Sequence, residues 1–382
     1  MLKVAMVTSF PRTPPEAHGG VEIACLRLAE GLATYDDIDL HVIALGAAPP
    51  TTERWTEPRC TVHRVRAAWP GFLTYWNVTR RRVDRTIREI APDVVHVQTF
   101  AGILGPRCPA PTVLTTHGIE ERTARLLKGP VARLRQWTLA AVERRARPRY
   151  GHFIATSRYV VEALGDQIQG RIVSIYNAVA RSAFKVRRQE VPNRLLYFGR
   201  VKGTKNIHGL MDVARRLREA GVDFELRIVG PCESAAYWDR LQADVARQGL
   251  TQHVRLVGEL TPEGVQEELG RAACFVMASF QESAPMTVSE AMAAGVPIVS
   301  TRVGGIPDLM EDGRTGFVVE QGDVAGFARR VRQLLESESL RRAFGARAVE
   351  VARERFHPDI VACETRQVYY AAAGRPLPDD SH

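Results

Sequence analysis

The stretch SFQESAPMTVSEAMAAGVPIVSTRVGG, residues 279–305, follows a short apolar run and contains a helical segment. Within it, seven residues separate Glu282 from Glu290. Ser283 suits a helix N-cap, and Pro285 suits the first helical turn, where its missing N–H costs little. We therefore predict Glu282 on the loop before a helix and Glu290 about six residues into that helix, roughly 9 Å along its axis. A strand, a loop and a helix in this order form the repeating unit of a parallel α/β sheet, whose ligands bind at the carboxyl ends of the strands.

The start of this helix is predicted to bind an anion. The backbone amides of Ala284, Met286 and Thr287 would lack helical partners, and phosphate is the usual ligand of such amides. Two carboxylates that flank a phosphate site match a nucleotide sugar, which presents sugar hydroxyls, a pyrophosphate and ribose hydroxyls. The alternative is that Glu282 is a surface loop acid and Glu290 a solvated helix acid.

Strand and helix patterns alternate along the whole chain, which predicts parallel sheets covered on both faces. The patterns form two sets, so we predict an α/β protein of two doubly wound, Rossmann-like domains that face a cleft. A polar, charged stretch at residues 184–193 predicts the boundary between the two domains. The predicted strands are residues 3–8, 40–45, 62–65, 94–97, 112–115 and 152–156 in the first domain, and 194–198, 225–229, 254–257, 274–278, 297–300 and 316–319 in the second. The predicted helices include residues 21–33, 131–145, 207–220, 263–269, 324–336 and 360–373.

A second motif, YFGRVKGTKN at residues 197–206, follows the first strand of the second domain. Its Arg200 and Lys205 lie on a glycine-bearing turn before a helix. Two cations there can hold a diphosphate and neutralise it as it leaves, without a metal. The alternative is a basic surface loop. The spacing of a Walker P-loop is absent.

The first domain offers weaker signals. Gly19 and Gly20 open a helix after a ten-residue loop and would allow close approach by a phosphate or a sugar; the alternative is an ordinary helix-start turn. There is no G-x-G-x-x-G, which argues against a nicotinamide dinucleotide. His117 follows a strand, where a structural role is the alternative to a functional one. The acidic stretch DDID, residues 36–39, is interpreted as a solvated turn.

Charge and cysteine content restrict the function classes. The net charge of +9 is uneven, because residues 1–190 carry +11 and the remainder carries −2. No nucleic-acid-binding signature accompanies the basic half, so an anionic membrane or an anionic acceptor explains it as well. The six cysteines form no C-x-x-C pair and no zinc-finger spacing, which indicates buried thiols in a reducing cytoplasm. The N-terminus is interpreted as a first strand rather than a signal peptide, and no apolar run approaches the roughly 18 residues of a membrane helix.

Taken together, the motifs resemble the retaining glycosyltransferases of family 4, which have the GT-B fold. The resemblance covers nearly the whole chain and includes G-G before the first helix, H-G after a first-domain strand and IYNAV at residues 175–179. It continues with G-R-x4-K, then V-G-E at residues 257–259, then E-x7-E followed by E-A-M-A-A-G-x-P-x-V, and V-G-G at residues 303–305. The chain departs from the family where Glu282 is followed by Ser-Ala-Pro rather than Gly-Phe-Gly, so that Pro285 removes a backbone donor.

The resemblance implies roles for individual residues. Arg200 and Lys205 would bind the diphosphate, Glu290 the ribose, and Glu282 the hydroxyls of the transferred sugar. The amides that follow Glu282, on Ala284, Met286 and Thr287, would hold sugar and phosphate. His117 would lie near the anomeric carbon and Gly20, with Gly19, near the phosphate. Gly230 and Leu260 would contact the nucleotide.

The resemblance also implies an organisation and an activity. Residues 1–185 would bind the acceptor, residues 186–358 the nucleotide sugar, and a helix within residues 359–382 would cross back to pack on the first domain. The activity would be metal-independent transfer of a hexose or N-acetylhexosamine, without a cofactor, from a nucleotide-diphosphate sugar to a hydroxyl, with retention of configuration. UDP-sugars are favoured over GDP-sugars, and the acceptor would be a saccharide, a glycolipid or a small molecule, in cell-envelope or secondary-metabolite biosynthesis. The alternatives are a nucleotide-sugar epimerase of similar fold and a non-catalytic sugar-nucleotide sensor.

A basic segment of the first domain suggests attachment to a cytoplasmic membrane face. Nine Lys and Arg and two acids occur in residues 121–150. On a helix over residues 131–145, one predicted face carries Arg133, Trp137 and Arg144, a combination found on interfacial helices. The opposite face, with Val131, Leu134, Thr138, Ala141 and Val142, is predicted to pack on the sheet. A second basic cluster contains Arg80, Arg81, Arg82, Arg85 and Arg88. The alternative is a solvated arginine face on a cytosolic enzyme.

Overall fold

A computed structural model describes residues 1–13, 19–46, 49–67, 72–98, 100–104, 108–119, 122 and 129–378. It divides into two compact units, which are residues 1–178 together with 358–382, and residues 179–357. Each unit is an α/β layer structure with its own sheet, as the alternating sequence patterns predict. Within the described residues, no helix is both long enough and apolar enough to cross a membrane.

The first unit is built on an eight-stranded sheet within the described part of the chain. Its strands are β1 (Leu2–Thr8), β2 (Ile38–Gly46), β3 (Thr51–Thr56), β4 (Arg59–Arg66), β5 (Val94–Val97), β6 (Thr112–Thr116), β7 (His152–Ala155) and β8 (Arg171–Ser174). Their order in the sheet is β3-β4-β2-β1-β5-β6-β7-β8. All neighbouring pairs are parallel except β3 and β4, which are antiparallel, so the expectation of a wholly parallel sheet is wrong at this edge.

Helices cover both faces of the first sheet. They are α1 (Gly20–Leu32), α2 (Phe72–Ile90), α3 (Pro130–Ala146), α4 (Arg158–Leu164) and the C-terminal α12 (Pro358–Ala373). One apolar core joins α1 and α12 to the sheet, and the other joins α2 and α4 to its opposite face. The two cores follow from the sequence, because strands buried on both faces need a nearly continuous apolar run.

The second unit has a six-stranded, wholly parallel sheet within the residues that are described. Its strands are β9 (Arg194–Phe198), β10 (Glu225–Val229), β11 (Val254–Gly258), β12 (Cys274–Met277), β13 (Ile298–Thr301) and β14 (Gly316–Val319), in the order β11-β10-β9-β12-β13-β14. Its helices are α5 (Ile207–Glu219), α6 (Ala235–Arg247), α7 (Pro262–Arg271), α8 (Met286–Ala293), α9 (Ile306–Leu309), α10 (Val324–Glu336) and α11 (Glu338–Arg355). Strands β9 and β12 lie side by side, so the loops that follow them meet at the carboxyl edge of the sheet.

The C-terminal helix α12 packs on the first unit, as the resemblance implied. Asp37 accepts a hydrogen bond from Arg366 Nε at 2.9 Å and another from Tyr370 Oη at 2.7 Å. A Cβ on Gly31 would lie 2.6 Å from the carbonyl oxygen of Pro358, so α1 needs glycine where α12 begins. The interpretation of residues 36–39 as a merely solvated turn is therefore wrong, because Asp37 holds the last helix in place.

The first unit ends earlier than the expected boundary at residue 185. Residues 184–193, predicted to link the domains, lie within the second unit. Their backbone is fixed to the end of α7, since Gln189 N–H donates to Gly270 O and Val191 N–H donates to Arg271 O, both at 2.9 Å. A polar, charged stretch thus behaves as part of a domain because its backbone groups are paired there.

Helix α3 buries only part of the predicted face, since Ala141 and Val142 are half-buried and a Cβ on Gly102 would lie 2.6 Å from Val142 Cγ1. Leu134 is 70% exposed and Thr138 is also exposed, although both were expected to pack on the sheet. The buried side instead carries Ala140 and Glu143, and Glu143 lies 3.9 Å from the fully buried Arg147. The prediction was wrong at Leu134 and Thr138. A search for an apolar stripe could not find the buried ion pair of Glu143 and Arg147. The backbone of Val131 is described as helical, but its side chain lies outside the described residues.

Candidate active site

The loops after β9 and β12 are joined by direct hydrogen bonds. Phe280 N–H donates to Thr204 O, and the Asn206 side-chain amide donates to Ala278 O, both at 3.0 Å. Asn206 adopts a left-handed conformation, with φ of 51°, as the N-cap of α5, and its side chain also accepts a hydrogen bond from Gly209 N–H. Hydrogen bonds therefore hold both the backbone and the side chain of Asn206, which directly follows Lys205.

Lys205 and Glu282 are brought together by this pairing of loops. Lys205 Nζ lies 2.5 Å from Glu282 Oε1, and Ser279 Oγ donates to the same oxygen at 2.6 Å. Glu282 is 7% exposed, so the carboxylate is a buried charge whose partners are a cation and a hydroxyl. Two of the residues predicted to bind the donor are thus in contact.

The V-G-G sequence at residues 303–305 supports the backbone of Glu282. Gly304 has a φ of +53°, and a Cβ at this position would lie 1.5 Å from the carbonyl oxygen of Glu282. Gly305 N–H donates to that same carbonyl at 3.2 Å. Any larger residue at position 304 would displace Glu282, which explains why glycine is needed here.

A cluster of cations occupies the β9 loop. Arg200 is exposed and Lys205 is half-buried, and both were predicted as diphosphate ligands. Lys202 lies with them: burial lowers its pKa, and the neighbouring charges of Lys205 and Arg200 lower it further. Sequence reasoning missed Lys202, although its signal is visible as the middle cation of R-V-K-G-T-K. Like charges held this close favour binding of an anion.

Helix α8 begins two residues later than predicted. Its N-cap is Pro285 in an extended conformation, so the prediction of Ser283 as N-cap is wrong. Met286 and Thr287 are the first two helical residues, and their amides have no carbonyl four residues back in the helix. Thr287 also reaches the β9 loop, since a Cβ on Gly199 would lie 3.3 Å from Thr287 Cγ2. Glu290 is the fifth residue of α8 and is half-buried, and Ala284 lies on the loop before the helix.

The remaining predicted donor residues lie on neighbouring loops of the same edge. Gly230 follows β10, and a Cβ there would lie 2.0 Å from Gly199 O, so this glycine is required by backbone packing. Glu233 N–H and Val201 O then continue the pairing of the two loops at 2.9 Å. Leu260 follows β11, is half-buried and packs against Gly264 at the start of α7.

In the first unit, His117 lies just beyond β6 and is held by Gln98. His117 Nε2 and Gln98 Oε1 are 2.8 Å apart, which makes Nε2 the protonated nitrogen because the amide oxygen can only accept. Burial lowers the pKa of His117 to about 4, although a hydrogen bond with Asn177 opposes this shift. The imidazole is therefore neutral at neutral pH and can exchange hydrogen bonds but carries no charge.

Another histidine, which is fully buried, lies near the half-buried His117. His96 is fully buried, with Nδ1 2.7 Å from Tyr369 Oη and Nε2 2.7 Å from Thr115 Oγ1. Tyr369 belongs to α12, so His96 connects the C-terminal helix to Thr115 on β6, the strand that leads to His117. No sequence motif indicated this contact, because its three members are far apart in the chain.

Gly19 and Gly20 lie where α1 begins. Gly19 is the N-cap, with a φ of +97°, and a Cβ on either glycine would meet no atom of the described residues within 4 Å. Open space on these glycines is compatible with approach by a ligand. Ala17 and His18, which precede these glycines, and Glu120 and Glu121, which follow His117, lie outside the described residues.

Among the described residues, no group of three or more His, Cys, Asp or Glu side chains could hold a metal ion. Charge neutralisation at the carboxyl edge of the second sheet is instead available from Arg200, Lys202 and Lys205. That edge combines cations, a buried carboxylate and a helix start, which suits a phosphorylated and hydroxylated ligand.

Two family descriptions match the chain in succession. Residues 18–182 match "Glycosyltransferase Family 4", and residues 179–351 match "Glycosyl transferases group 1". The chain therefore belongs to the family 4 glycosyltransferases, and its two α/β units correspond to the GT-B fold.

Individual proteins agree with this assignment. Glycogen synthase of Mycobacterium tuberculosis is 29% identical over 309 residues, which are 75% of this chain and 70% of that protein. Among solved structures, sucrose-phosphate synthase from Thermosynechococcus elongatus aligns with a TM-score of 0.81 at 18% identity, over 97% of this chain and 99% of that one. HepE from Anabaena, solved with UDP and glucose, aligns with a TM-score of 0.73 at 19% identity, over 97% and 100% of the two chains. The chain is similar to these glycosyltransferases in sequence or in fold.

Proposed function

We propose that this glycosyltransferase moves a sugar from a nucleotide-diphosphate sugar to an acceptor hydroxyl, with retention of configuration and without a metal. The observation that carries the proposal is the contact between Lys205 and Glu282, beside Arg200, Lys202 and the start of α8. The cation cluster can bind a diphosphate, and the adjoining buried carboxylate can bind the sugar attached to it.

In this mechanism the three cations hold the diphosphate and neutralise the charge that develops as it leaves. The departing phosphate oxygen then takes the proton of the acceptor hydroxyl, which attacks from the same face. Glu282 is assigned to the sugar hydroxyls rather than to covalent attack, because Lys205 and Ser279 already bind its Oε1 and weaken it as a nucleophile. The proton and the nucleotide diphosphate leave together, so charge and atoms balance.

The second unit would also hold the rest of the donor. Glu290 is assigned to the ribose hydroxyls, the amides of Ala284, Met286 and Thr287 to the phosphate and sugar, and Gly230 and Leu260 to the nucleotide. A UDP-sugar is favoured over a GDP-sugar, and the fold-level similarity to HepE, which was solved with UDP and glucose, supports this choice.

From the first unit, His117 is assigned to a sugar hydroxyl near the anomeric carbon. Its neutral ring is held in place, because Nε2 donates to Gln98 and the ring has a further hydrogen bond with Asn177. Gly20 and Gly19 are assigned to the phosphate, where their lack of side chains permits close approach.

Titration calorimetry followed by product analysis tests the proposal. The protein should bind UDP-glucose or UDP-N-acetylglucosamine more tightly than GDP-mannose, and mass spectrometry should show one hexose or N-acetylhexosamine added to a saccharide, glycolipid or small-molecule acceptor. Consumption of the donor with an epimerised nucleotide sugar as the product would favour the epimerase. Binding without turnover in a broad acceptor panel would favour a sensor.

We also propose that the acceptor is lipid-linked and that α3 attaches the protein to an anionic membrane. On α3, Leu134 is 70% and Trp137 41% exposed, and the exposed Arg133 and Arg144 lie on the same helix. Exposed apolar side chains among arginines suit an interfacial helix. Each arginine near such a surface contributes about 1 kcal/mol, so binding should weaken as salt rises.

Co-sedimentation with phosphatidylglycerol vesicles at low salt tests the attachment. The protein should pellet with the vesicles, and the triple variant Arg133→Ala, Trp137→Ala, Arg144→Ala should pellet several-fold less. Arg158→Ala removes an exposed arginine of the same unit outside α3 and should pellet like the wild type. Wild-type protein that stays in the supernatant would favour a small soluble acceptor, and a triple variant that pellets like the wild type would show that α3 is not the attachment surface.

A further inference from the structure

Ser279 occupies a fixed position at the end of β12. Its side chain is fully buried, and its Oγ donates to Glu282 Oε1 at 2.6 Å. Its own carbonyl accepts a hydrogen bond from Thr301 Oγ1 on the neighbouring strand β13, at 2.8 Å. The serine is thus held by the sheet, and the carboxylate is held by the serine.

The two carboxylate oxygens of Glu282 differ in their hydrogen-bond partners. Oε1 accepts from both Lys205 and Ser279. Oε2 accepts no hydrogen bond from any described residue. It is also not among the fully buried polar atoms that lack a partner in the described structure, so part of its surface is exposed. One oxygen is therefore occupied, and the other remains accessible to a ligand.

Lys205 alone cannot secure this arrangement. Its ammonium lies at the end of four flexible methylene groups and is also the proposed ligand of the diphosphate. When it turns some of its three N–H groups toward a phosphate, its hold on the carboxylate loosens. Ser279 is not a proposed ligand of the diphosphate. It is fully buried, and its hydroxyl donates to Glu282.

We propose that Ser279 is a positioning residue. It orients Glu282 so that Oε2 accepts a hydrogen bond from a hydroxyl of the donor sugar. The proposal rests on the proposed function, since it needs a sugar on the diphosphate. Ser279 itself does not touch the donor, and its effect is confined to the sugar. A nucleotide diphosphate without a sugar therefore binds independently of Ser279.

Titration calorimetry with UDP and with UDP-glucose tests this role. In Ser279→Ala the dissociation constant for UDP-glucose should rise about tenfold, the size expected for a weakened hydrogen bond to a charged group. The dissociation constant for UDP should stay within about twofold of the wild type. Ser300→Ala is the matched control, because Ser300 is also fully buried and its hydroxyl donates to a backbone carbonyl, Met277 O, at 3.1 Å. That control should bind both ligands like the wild type.

A double-mutant cycle separates positioning from general damage. In a Glu282→Ala background, adding Ser279→Ala should not weaken UDP-glucose binding further, because the carboxylate that Ser279 orients is gone. Equal losses for UDP and UDP-glucose in Ser279→Ala, or no loss for either, would overturn the proposal. If Ser279→Ala does not fold, Ser279→Cys, which keeps the size and a weak donor, is compared in the same way and must show the same selective loss. Wild-type protein that binds neither UDP nor UDP-glucose would overturn the UDP-sugar assignment itself and this role with it.

Discussion

Lys205 Nζ and Glu282 Oε1 lie 2.5 Å apart, although the two residues are 77 positions apart in the chain. The cation assigned to the diphosphate and the carboxylate assigned to the sugar therefore contact each other. Residues in such contact act as a unit, so the effects of changing both should not add. In the proposed mechanism, this pair would link recognition of the sugar to release of the diphosphate.

Lys205→Ala should lose most of its turnover while keeping its fold. Losing one charge-assisted contact to a developing diphosphate costs about 2–4 kcal/mol in the activation barrier, or a fall in kcat of roughly 30- to 1000-fold. Steady-state kinetics with the donor identified by calorimetry provides the measurement. Lys185→Ala removes an exposed lysine of the same unit and is the control. Wild-type-like kinetics in Lys205→Ala would remove this residue from the site.

The two glutamates of the E-x7-E motif should respond differently to loss of charge. Glu290→Gln should weaken UDP and UDP-glucose alike, by about tenfold, because its assigned contacts are to the ribose that both ligands contain. Glu282→Gln should weaken UDP-glucose and leave UDP almost unchanged. Calorimetric titration of each variant with both ligands decides the matter, with the exposed Glu336→Gln as control. A reversed pattern would exchange the two assignments.

Turnover should survive EDTA. Arg200, Lys202 and Lys205 supply positive charge where a metal ion would otherwise be needed. Initial rates measured with EDTA, and again after adding magnesium or manganese, should agree. Activity that is lost in EDTA and restored by either ion would show that the cations do not suffice.

Asp37→Ala should destabilise the first unit by about 2–4 kcal/mol, because it deprives the buried Arg366 of its charge partner and Tyr370 of an acceptor. Asp36→Ala is a control one residue away. Asp36 is 88% exposed and pairs with Arg59 at the surface, so its loss should cost at most about 1 kcal/mol. Thermal unfolding of the two variants should therefore differ clearly, and equal melting temperatures would mean that Asp37 does not hold α12.

Stability should fall as the pH drops from about 6.5 toward 4. Burial lowers the pKa of His96 to about 3, with a smaller contribution from the nearby His117, and burial lowers the pKa of His117 to about 4. Below pH 6.5 the unfolded chain binds protons at these histidines and the folded chain does not, so acid favours unfolding by about 1.4 kcal/mol per pH unit for each histidine.

Denaturant unfolding of the wild type and His96→Gln at pH 7, 6 and 5 tests this linkage. The glutamine keeps a polar side chain at position 96 but cannot take up the proton. Its free energy of unfolding should therefore depend less steeply on pH than that of the wild type, by about one proton. Parallel pH dependences would mean that His96 is not the group that titrates.

The interior strands could be predicted from sequence because most of their residues are apolar. Strands β5, β9 and β10 have the predicted bounds, Val94–Val97, Arg194–Phe198 and Glu225–Val229. The strands that were not predicted, β3 and β8, lie at the two edges of the first sheet. Edge strands are exposed on more sides and carry polar residues, as Thr51–Thr56 does, so hydrophobicity does not distinguish them from loops.

The candidate site could be predicted only as a set of separate motifs. The residues that follow β9 and β12 were named from their spacing, but their contact depends on the strand order, which places β12 beside β9 and leaves β10 and β11 on the other side. The roles of Ser279 and Gly304 likewise appear only when side chains and backbones from three loops are assembled. Lys202 was overlooked because it lies between Arg200 and Lys205 in a basic loop. In sequence, such a lysine cannot be distinguished from one that is exposed to solvent.

The configuration of the sugar that leaves UDP-glucose tests the central claim most directly. With EDTA present and no acceptor, water replaces the acceptor hydroxyl in a slow side reaction that breaks the same bond. Proton NMR recorded before the released glucose equilibrates should show the α-anomer first, and Lys205→Ala should release it far more slowly. Initial release of the β-anomer would contradict transfer with retention, and unchanged release by Lys205→Ala would contradict the assignment of the diphosphate to this site.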